Sequence, residues 1–335
     1  MEEEDNPIKV GDIIKDCYKI IRSITDGSDR MIFCALDTSM KQVAIKLELD
    51  TGEQTAVCIE AAILKILDES IHIPQFFRYG IHLNYKFLAM ELMGPNLIDL
   101  VNYKNLYKFS LHSILKFGIQ AIETLQVVHS KGFVHRDIKP GNFLIGNSSN
   151  TSGILKLVDF ELCKKIHKVD GIITKPTNKG KFRGSLMYAS LNSHKLVELG
   201  RNDDLISLLY ILVELYNGSL PWSDIDDEEK IQNLKQHYHG RKLLKWLPKQ
   251  FLEFESCILS LDYTTDPDYA YLISLLKQAA SENEIDLNAP FEWEEEMNEE
   301  RDRIIKNHTK KSSYSSPDEN QTELTEYTAT IIEEE

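Results

Sequence analysis

Apolar and polar positions along this chain change period several times, and each change marks an element. Tyr18 to Ile24 and Met31 to Leu36 read as strands on either side of the polar turn Thr25-Asp-Gly-Ser-Asp-Arg30. Val43-Ala-Ile-Lys46 is a further apolar strand that ends its run on a cation. From Thr55 to Leu67 the period lengthens to that of a helix, with Val57, Ile59, Ala62, Ile63, Ile66 and Leu67 recurring at helical spacing. Phe87-Leu-Ala-Met90 returns to a short strand, which Glu91-Leu-Met-Gly-Pro95 breaks. Ser110 is an N-cap candidate for a helix traced by Leu111, Ile114, Leu115, Gly118, Ile122, Leu125 and Val128. Asp204 opens another apolar helix, which Gly218 stops, and helical spacing continues from Glu228 to about Ala280.

Between the two apolar helices lies the chemistry. Phe133-Val-His-Arg-Asp-Ile-Lys-Pro-Gly-Asn142 carries the pattern H-R-D-x-K-x-x-N, and an apolar strand follows that ends in Asp159-Phe160. This is the spacing of a protein-kinase catalytic loop, and phosphoryl transfer explains it, because the protein positions and neutralises more than it reacts. Asp137 is expected to accept a hydrogen bond from the attacking hydroxyl, and Lys139 to face the transferring phosphate. Asn142 and Asp159 supply the oxygen ligands that suit Mg²⁺. Lys46 is expected to pair with the α- and β-phosphates of ATP, oriented by Glu60 from the helix that follows. The break after Met90 is the expected hinge, where backbone groups of Glu91 and Met93 would meet the adenine edge and Met90 would sit behind it. Ile24, Gly27, Arg30, Ala44 and Leu144 complete the expected ATP site.

Composition narrows the rest. At 335 residues the chain has room for two lobes with substantial cores. A net charge of −15 argues against general nucleic-acid binding. The five cysteines are scattered, without a Cys-x-x-Cys pair, and read as reduced thiols of a cytoplasmic or nuclear protein. The start, Met-Glu-Glu-Glu-Asp, is acidic where a signal peptide is basic. The longest apolar run, Leu205 to Tyr216, is too short to span a bilayer and contains Glu214, so no membrane partner is expected. In so acidic a chain, the segment from Lys164 to Arg183 stands out, with Lys164, Lys165, Lys168, Lys175, Lys179, Lys181 and Arg183 against Asp170 alone. Two accounts are open, a solvated loop or an anion-binding segment. On the second, Lys179, Lys181, Arg183 and Arg201 form a site for acidic or phosphorylated substrates.

Taken together, Met90-Glu-Leu-Met-Gly-Pro-Asn-Leu97, Phe182-Arg-Gly-Ser-Leu-Met-Tyr-Ala-Ser-Leu-Asn192, Gly200-Arg-Asn-Asp-Asp-Leu205, Ser260-Leu-Asp-Tyr-Thr-Thr-Asp-Pro-Asp-Tyr269 and Pro290-Phe-Glu-Trp293 resemble the casein kinase 1 group, and within it the tau-tubulin kinase branch. Ala189-Ser-Leu-Asn192 stands where most kinases have Ala-Pro-Glu, a departure shared with that group. The resemblance covers about residues 12 to 294. It implies an α+β, bilobal serine/threonine kinase fold, with a β-rich N-lobe over 12–93 and a mainly helical C-lobe over 94–293. ATP and Mg²⁺ are the implied cosubstrate and metal, and acidic or primed proteins the implied substrates of what is expected to be a monomer. Residues 1–11 are expected to be a disordered lead, and 294–335, acidic and poor in apolar residues, a disordered or partly helical tail.

Two departures set up an alternative. The glycine-rich loop keeps Gly27, with Thr25 and Arg30 at its outer positions. Losing one or two phosphate-binding N–H contacts there costs roughly 1.5–3 kcal/mol each, unless Arg30 reaches the phosphates itself. Asp-Phe-Gly has become Asp159-Phe160-Glu161. A side chain there costs about 1–2 kcal/mol if the backbone is left-handed, and Glu161 has three open destinations: solvent, the metal or Lys46. One reading is an active serine/threonine kinase. The other is a pseudokinase, a kinase-like binding module for acidic or phosphorylated partners.

Overall fold

The computed structural model describes residues 8–26, 30–52, 55–103, 108–175 and 181–294. The chain divides into two units, residues 1–291 and 292–335, and the fold below is that of the first. Of the second, residues 292–294 are described and are helical. The expected tail therefore lies almost entirely outside the described residues. A domain start at residue 12 is too late: Ile8 is buried and belongs to the sheet core with Ile14, Tyr18 and Ile20.

Six strands form an antiparallel sheet: β1 (Ile13–Ile14), β2 (Tyr18–Asp26), β3 (Arg30–Leu36), β4 (Gln42–Leu49), β5 (Phe76–His82) and β6 (Tyr85–Glu91), in the order β1-β2-β3-β4-β6-β5. Alternation along β4 sorts its side chains onto two faces. Val43, Ile45 and Leu47, with Phe33, Ala35, Phe87 and Ala89 from the flanking strands, enter the sheet core. Ala44 and Lys46 face the other way, opposite Met90 and Leu88 in the register with β6. A one-residue slip would send the lysine into the apolar core, so the register is strongly specified.

Helix α1 (Ala56–Leu67) packs on that second face, N-capped by Thr55, whose Oγ1 accepts from Cys58 N. Its buried residues are Val57, Glu60, Ala61, Ile63, Leu64 and Leu67, while Ala62 and Ile66 are exposed. The stripe expected from spacing alone is therefore rotated. Turning Glu60 inward to meet Lys46 carries Ala61 and Leu64 in with it and sends Ala62 and Ile66 out.

Strand β7 (Met93–Asn96) and helix α2 (Leu97–Tyr103) lead into the helical lobe. Helix α3 (Leu111–Ser130) starts at its Ser110 cap and ends before a short β8 (Phe133–Val134). Then come β9 (Phe143–Gly146), β10 (Leu155–Leu157), β11 (Lys164–Lys165), β12 (Lys168–Val169) and β13 (Ile172–Ile173). Helices α4 (Leu191–His194), α5 (Arg201–Asn217), α6 (Glu228–His237), α7 (Gln250–Ser260) and α8 (Tyr269–Glu282) complete the lobe. Helix α5 is buried nearly all round, which marks a central rather than a surface helix. Gly218, at φ 91°, caps it in the left-handed conformation that glycine adopts without strain.

At the start of α5, Asp204 is 1% exposed. It accepts from the backbone N–H groups of His135 (2.8 Å) and Arg136 (2.9 Å) and from His129 Nε2 of α3 (2.9 Å). Burial pushes its carboxyl pKa up, but these donors and the two histidines outweigh burial and hold it below the ordinary carboxylate value. A carboxylate lowered in this way stabilises the fold above its unfolded pKa of about 3.9, and that support is lost as the pH falls through the folded value. Asp204→Asn is therefore expected to lower stability by on the order of 3 kcal/mol at pH 7. Urea unfolding midpoints should show the gap from wild type narrowing as the pH falls below about 4.

Candidate active site

The second face of the sheet brings three groups together. Lys46 Nζ lies 2.6 Å from Glu60 Oε2 and 3.6 Å from Asp159 Oδ1. Asp159 N in turn donates to Glu60 Oε1 at 3.1 Å, so Glu60 orients both the cation and the backbone that carries the second carboxylate. Burial pushes the Lys46 pKa down, but the charges of Glu60, Asp159 and Glu161 outweigh it and hold the ammonium above its ordinary value. Of the destinations open to Glu161, an electrostatic link to Lys46 is the one the structure supports.

Glu161 also carries no left-handed strain. The left-handed residue is Asp159, at φ 67°, and Phe160–Leu162 form a 3₁₀ turn that any residue enters. The cost reckoned for losing glycine at this position is thus not incurred. Phe160 is fully buried, with its ring edge-to-face on His135 at 5.0 Å, and the packed pair fixes Asp159 beside Lys46.

The catalytic loop runs from β8 to β9. Arg136 is left-handed at φ 70°, and its Nε donates to Leu162 O at 2.7 Å. Asp137 is buried. Its Oδ2 accepts from Lys139 Nζ at 2.7 Å, and Asn142 Nδ2 donates to its carbonyl oxygen at 2.9 Å. Its Oδ1 accepts from Ser185 Oγ at 2.9 Å. Sequence reading gave Ser185 no role. The available signal was the glycine before it: Gly184 has φ 89°, and a Cβ there would come within 2.7 Å of Arg136 O. Such close approach requires glycine, and it delivers the next side chain to Asp137.

The expected nucleotide residues divide by position. Ala44 and Met90 are buried and opposite one another across β4 and β6. Leu144 lies on β9 opposite Asn96 of β7, and Met93 opposite Gly146. Ile24 is exposed on β2. The Glu91 N–H is taken by Gln75 O at 2.9 Å, and its carboxylate by Lys156 Nζ at 2.7 Å and Gln75 N at 3.0 Å. Of its backbone groups, only the carbonyl is a candidate for an adenine contact. Gly27 lies outside the described residues, and Arg30 is placed by its backbone at the start of β3.

Of the expected anion site, Lys179 lies outside the described residues, while Lys181 and Arg183 are exposed. Arg201 is a correction. It is 5% exposed, with its guanidinium on the Asp266 carboxylate and on the carbonyls of Thr264 (3.1 Å) and Thr265 (3.2 Å). A buried arginine must satisfy its donors inside the protein, and this one joins α5 to the loop before α8 rather than meeting substrate. Lys164 is likewise engaged, 2.6 Å from Glu198, a carboxylate that also lies 3.8 Å from Arg136.

The site offers an amide oxygen at Asn142 and a carboxylate at Asp159, hard donors that suit a divalent cation sharing its sphere with phosphate and water. With the Asn142 NH₂ spent on Asp137, its oxygen is the end left for such a role. Among the described residues, no group of three or more His, Cys, Asp or Glu forms a self-sufficient metal cage.

A probable serine/threonine-protein kinase of Dictyostelium discoideum is 37% identical over 289 residues. Those residues cover 86% of this chain and 58% of that protein, so the chain spans little more than half the length of this relative. The sequence profile described as protein kinase domain matches residues 18–284, from β2 through α8. That span contains every element that positions Lys46, Glu60, Asp137, Asn142 and Asp159, and the chain belongs to the protein kinase domain family.

Proposed function

We propose that this chain transfers the γ-phosphoryl group of ATP to serine or threonine hydroxyls of proteins, using Mg²⁺. The observation that carries the reading is the coexistence of two intact sets, Lys46–Glu60–Asp159 and Asp137–Lys139–Asn142, each assembled by ion pairs and hydrogen bonds. Lys46, held charged by its carboxylates, is placed to hold the α- and β-phosphates. Asn142 and Asp159 would hold the metal, which when bound neutralises charge on the phosphate oxygens. Asp137 accepts the hydrogen bond of an incoming hydroxyl at Oδ1, where Ser185 Oγ now marks the position of a donor. Lys139 screens the charge developing on that side. The serine/threonine class is supported by the Dictyostelium relative, itself a probable serine/threonine-protein kinase.

Within the family, we place the chain in the casein kinase 1 group, nearest its tau-tubulin kinase branch. The residues that stand in place of Ala-Pro-Glu support this reading by having a defined job. Ser190 Oγ (2.6 Å) and Asn192 Nδ2 (2.9 Å) both donate to Asp203 Oδ1, while Gly200 N donates to Asp203 Oδ2 at 2.7 Å. The segment is thereby anchored to α5. Preference for acidic or primed peptides is supported by the exposed Lys181 and Arg183, and a reducing, cytoplasmic or nuclear setting by five free thiols.

Two outcomes are expected. Saturation with Mg-ATP at 100 times Kd should stabilise wild type and Asp137→Asn alike by about 2.7 kcal/mol, and thermal shift should show Asp159→Asn losing that stabilisation. Asp137→Asn should nevertheless lose at least about 100-fold in phosphoryl transfer. Equal turnover by wild type and Asp137→Asn would exclude the proposed chemistry. The second outcome concerns a serine peptide flanked by Glu, Lys or phosphoserine. Lys181→Ala with Arg183→Ala should flatten the preference for the acidic versions, with little loss of stability because exposed charges contribute little. Raising salt should flatten it too, since screening at physiological ionic strength already acts beyond about 8 Å. An unchanged ranking in both experiments would make the basic segment a solvated loop.

A further inference from the structure

The segment that follows Ser185 is held from inside by a group that phosphoryl transfer does not use. Lys235, on α6, is 2% exposed. Its ammonium donates to the carbonyls of Leu186 (2.7 Å) and Ala189 (2.6 Å) and lies 3.4 Å from His194 Nε2. The indole N–H of Trp222 donates to the carbonyl between them, Met187 O, at 2.9 Å. The ammonium also sits 5.5 Å from the ring centroids of both Tyr210 and Trp222. A buried lysine ordinarily needs a carboxylate; here its partners are backbone carbonyls, an imidazole and two ring faces.

Three acceptors match the three N–H groups of a charged ammonium. The His194 pKa is pushed down to about 4 by its burial and then by the Lys235 charge, so the ring is neutral and Nε2 accepts. Its other nitrogen faces Glu228 Oε1 at 3.6 Å. At the opposite end, Ser185 is bonded to Asp137. Residues 185–189 therefore bridge the catalytic carboxylate and a buried cation. A peptide whose hydroxyl reaches Asp137 has to lie over this bridge, where Leu186 and Met187 present half-buried apolar side chains.

We propose that Lys235 is a positioning residue for the protein substrate, fixing the carbonyls of Leu186 and Ala189 so that residues flanking the acceptor hydroxyl meet a preformed platform. This rests on the reading that a peptide hydroxyl is phosphorylated at Asp137. Burial also pushes the Lys235 pKa down to about 7. The titratable groups facing it are His194 from α4 and Tyr210 from α5, with Glu228, on α6 itself, reaching His194. Deprotonation leaves two N–H groups, without charge, for three acceptors. With its folded value below that of free lysine, the unfolded chain binds more protons between about 7 and 10, so this group's contribution to stability rises with pH in that window. A platform that loosens as the pH passes 7 is therefore not the onset of unfolding.

The test uses the full chain and a Glu-flanked serine peptide free of histidine and phosphoserine. At saturating Mg-ATP, the wild-type peptide KM is expected to rise several-fold between pH 6.5 and 8, with the ATP KM within about twofold. Lys235→Met should raise the peptide KM about tenfold at pH 6.5 and remove its pH dependence, again sparing the ATP KM. A peptide KM unchanged by the substitution, or a loss carried by the ATP KM, would overturn the proposal. Should Lys235→Met fail to fold, amide exchange of residues 186–190 in wild type, corrected for intrinsic rate, is expected to quicken above pH 7; flat exchange with a flat peptide KM would overturn it. If wild type transfers no phosphate, the kinase reading falls, and fluorescence anisotropy of the same peptide replaces KM in the same comparison, where an affinity indifferent to Lys235 and to pH would sink the platform as well.

Discussion

A single buried carboxylate ties the catalytic loop to the helix beneath it. The loop passes through Arg136 in a left-handed conformation, so its N–H groups at residues 135 and 136 cannot join a regular ladder. Asp204 accepts both, and takes its third donor from His129 at the end of α3. The other ring nitrogen of His129 meets Tyr269 Oη of α8 at 2.7 Å. Three helices and the loop that carries Asp137 thus converge on one anion. Its charge is tolerated because it is surrounded by donors, and its position is fixed because α5 is buried nearly all round.

The same economy governs the sheet. Alternation on β4 sends apolar residues to one face and Lys46 to the other, and Glu60 closes the second face by reaching the lysine and the Asp159 backbone together. Two carboxylates, Glu60 and Asp159, lie beside the buried cation. With both, and with Glu161 nearby, the charged form of Lys46 is favoured despite burial. This explains how Glu can stand where glycine is usual in the group that the chain resembles: the left-handed turn belongs to Asp159, and the added charge favours the charged form of Lys46.

Buried cations on the substrate side serve a different end. Arg201 and Lys235 spend their donors on backbone carbonyls of irregular segments, residues 264 and 265 in one case and 186 and 189 in the other. Irregular backbone carries carbonyls that no helix or strand satisfies, and a buried cation with several donors fixes more than one at once. The positive charge read from sequence as substrate-facing is therefore divided between exposed side chains, Lys181 and Arg183, and an internal one, Arg201.

How much of this was legible beforehand follows from the range of each interaction. Strands, helices and caps were set by neighbours in the chain, as with Ser110 opening α3 and Gly218 closing α5. The candidate site was anticipated from its spacing, because His135 to Asn142 are close in the chain, and the fold holds Lys139 and Asn142 against Asp137. Local sequence also carried the order strand-lysine, helix-glutamate, catalytic loop. Contacts between distant segments were not legible. The inward face of α1 depended on Glu60 finding Lys46 on another element, and the role of Ser185 on the backbone of Gly184 closing against Arg136. Whether Arg201 met a substrate or a loop was decided by a partner 65 residues away, Asp266. Residue type and spacing determined which groups this protein brings to its chemistry; only tertiary packing decided which of its charges face outward, since a buried charge is settled by whatever donors and acceptors the fold places around it.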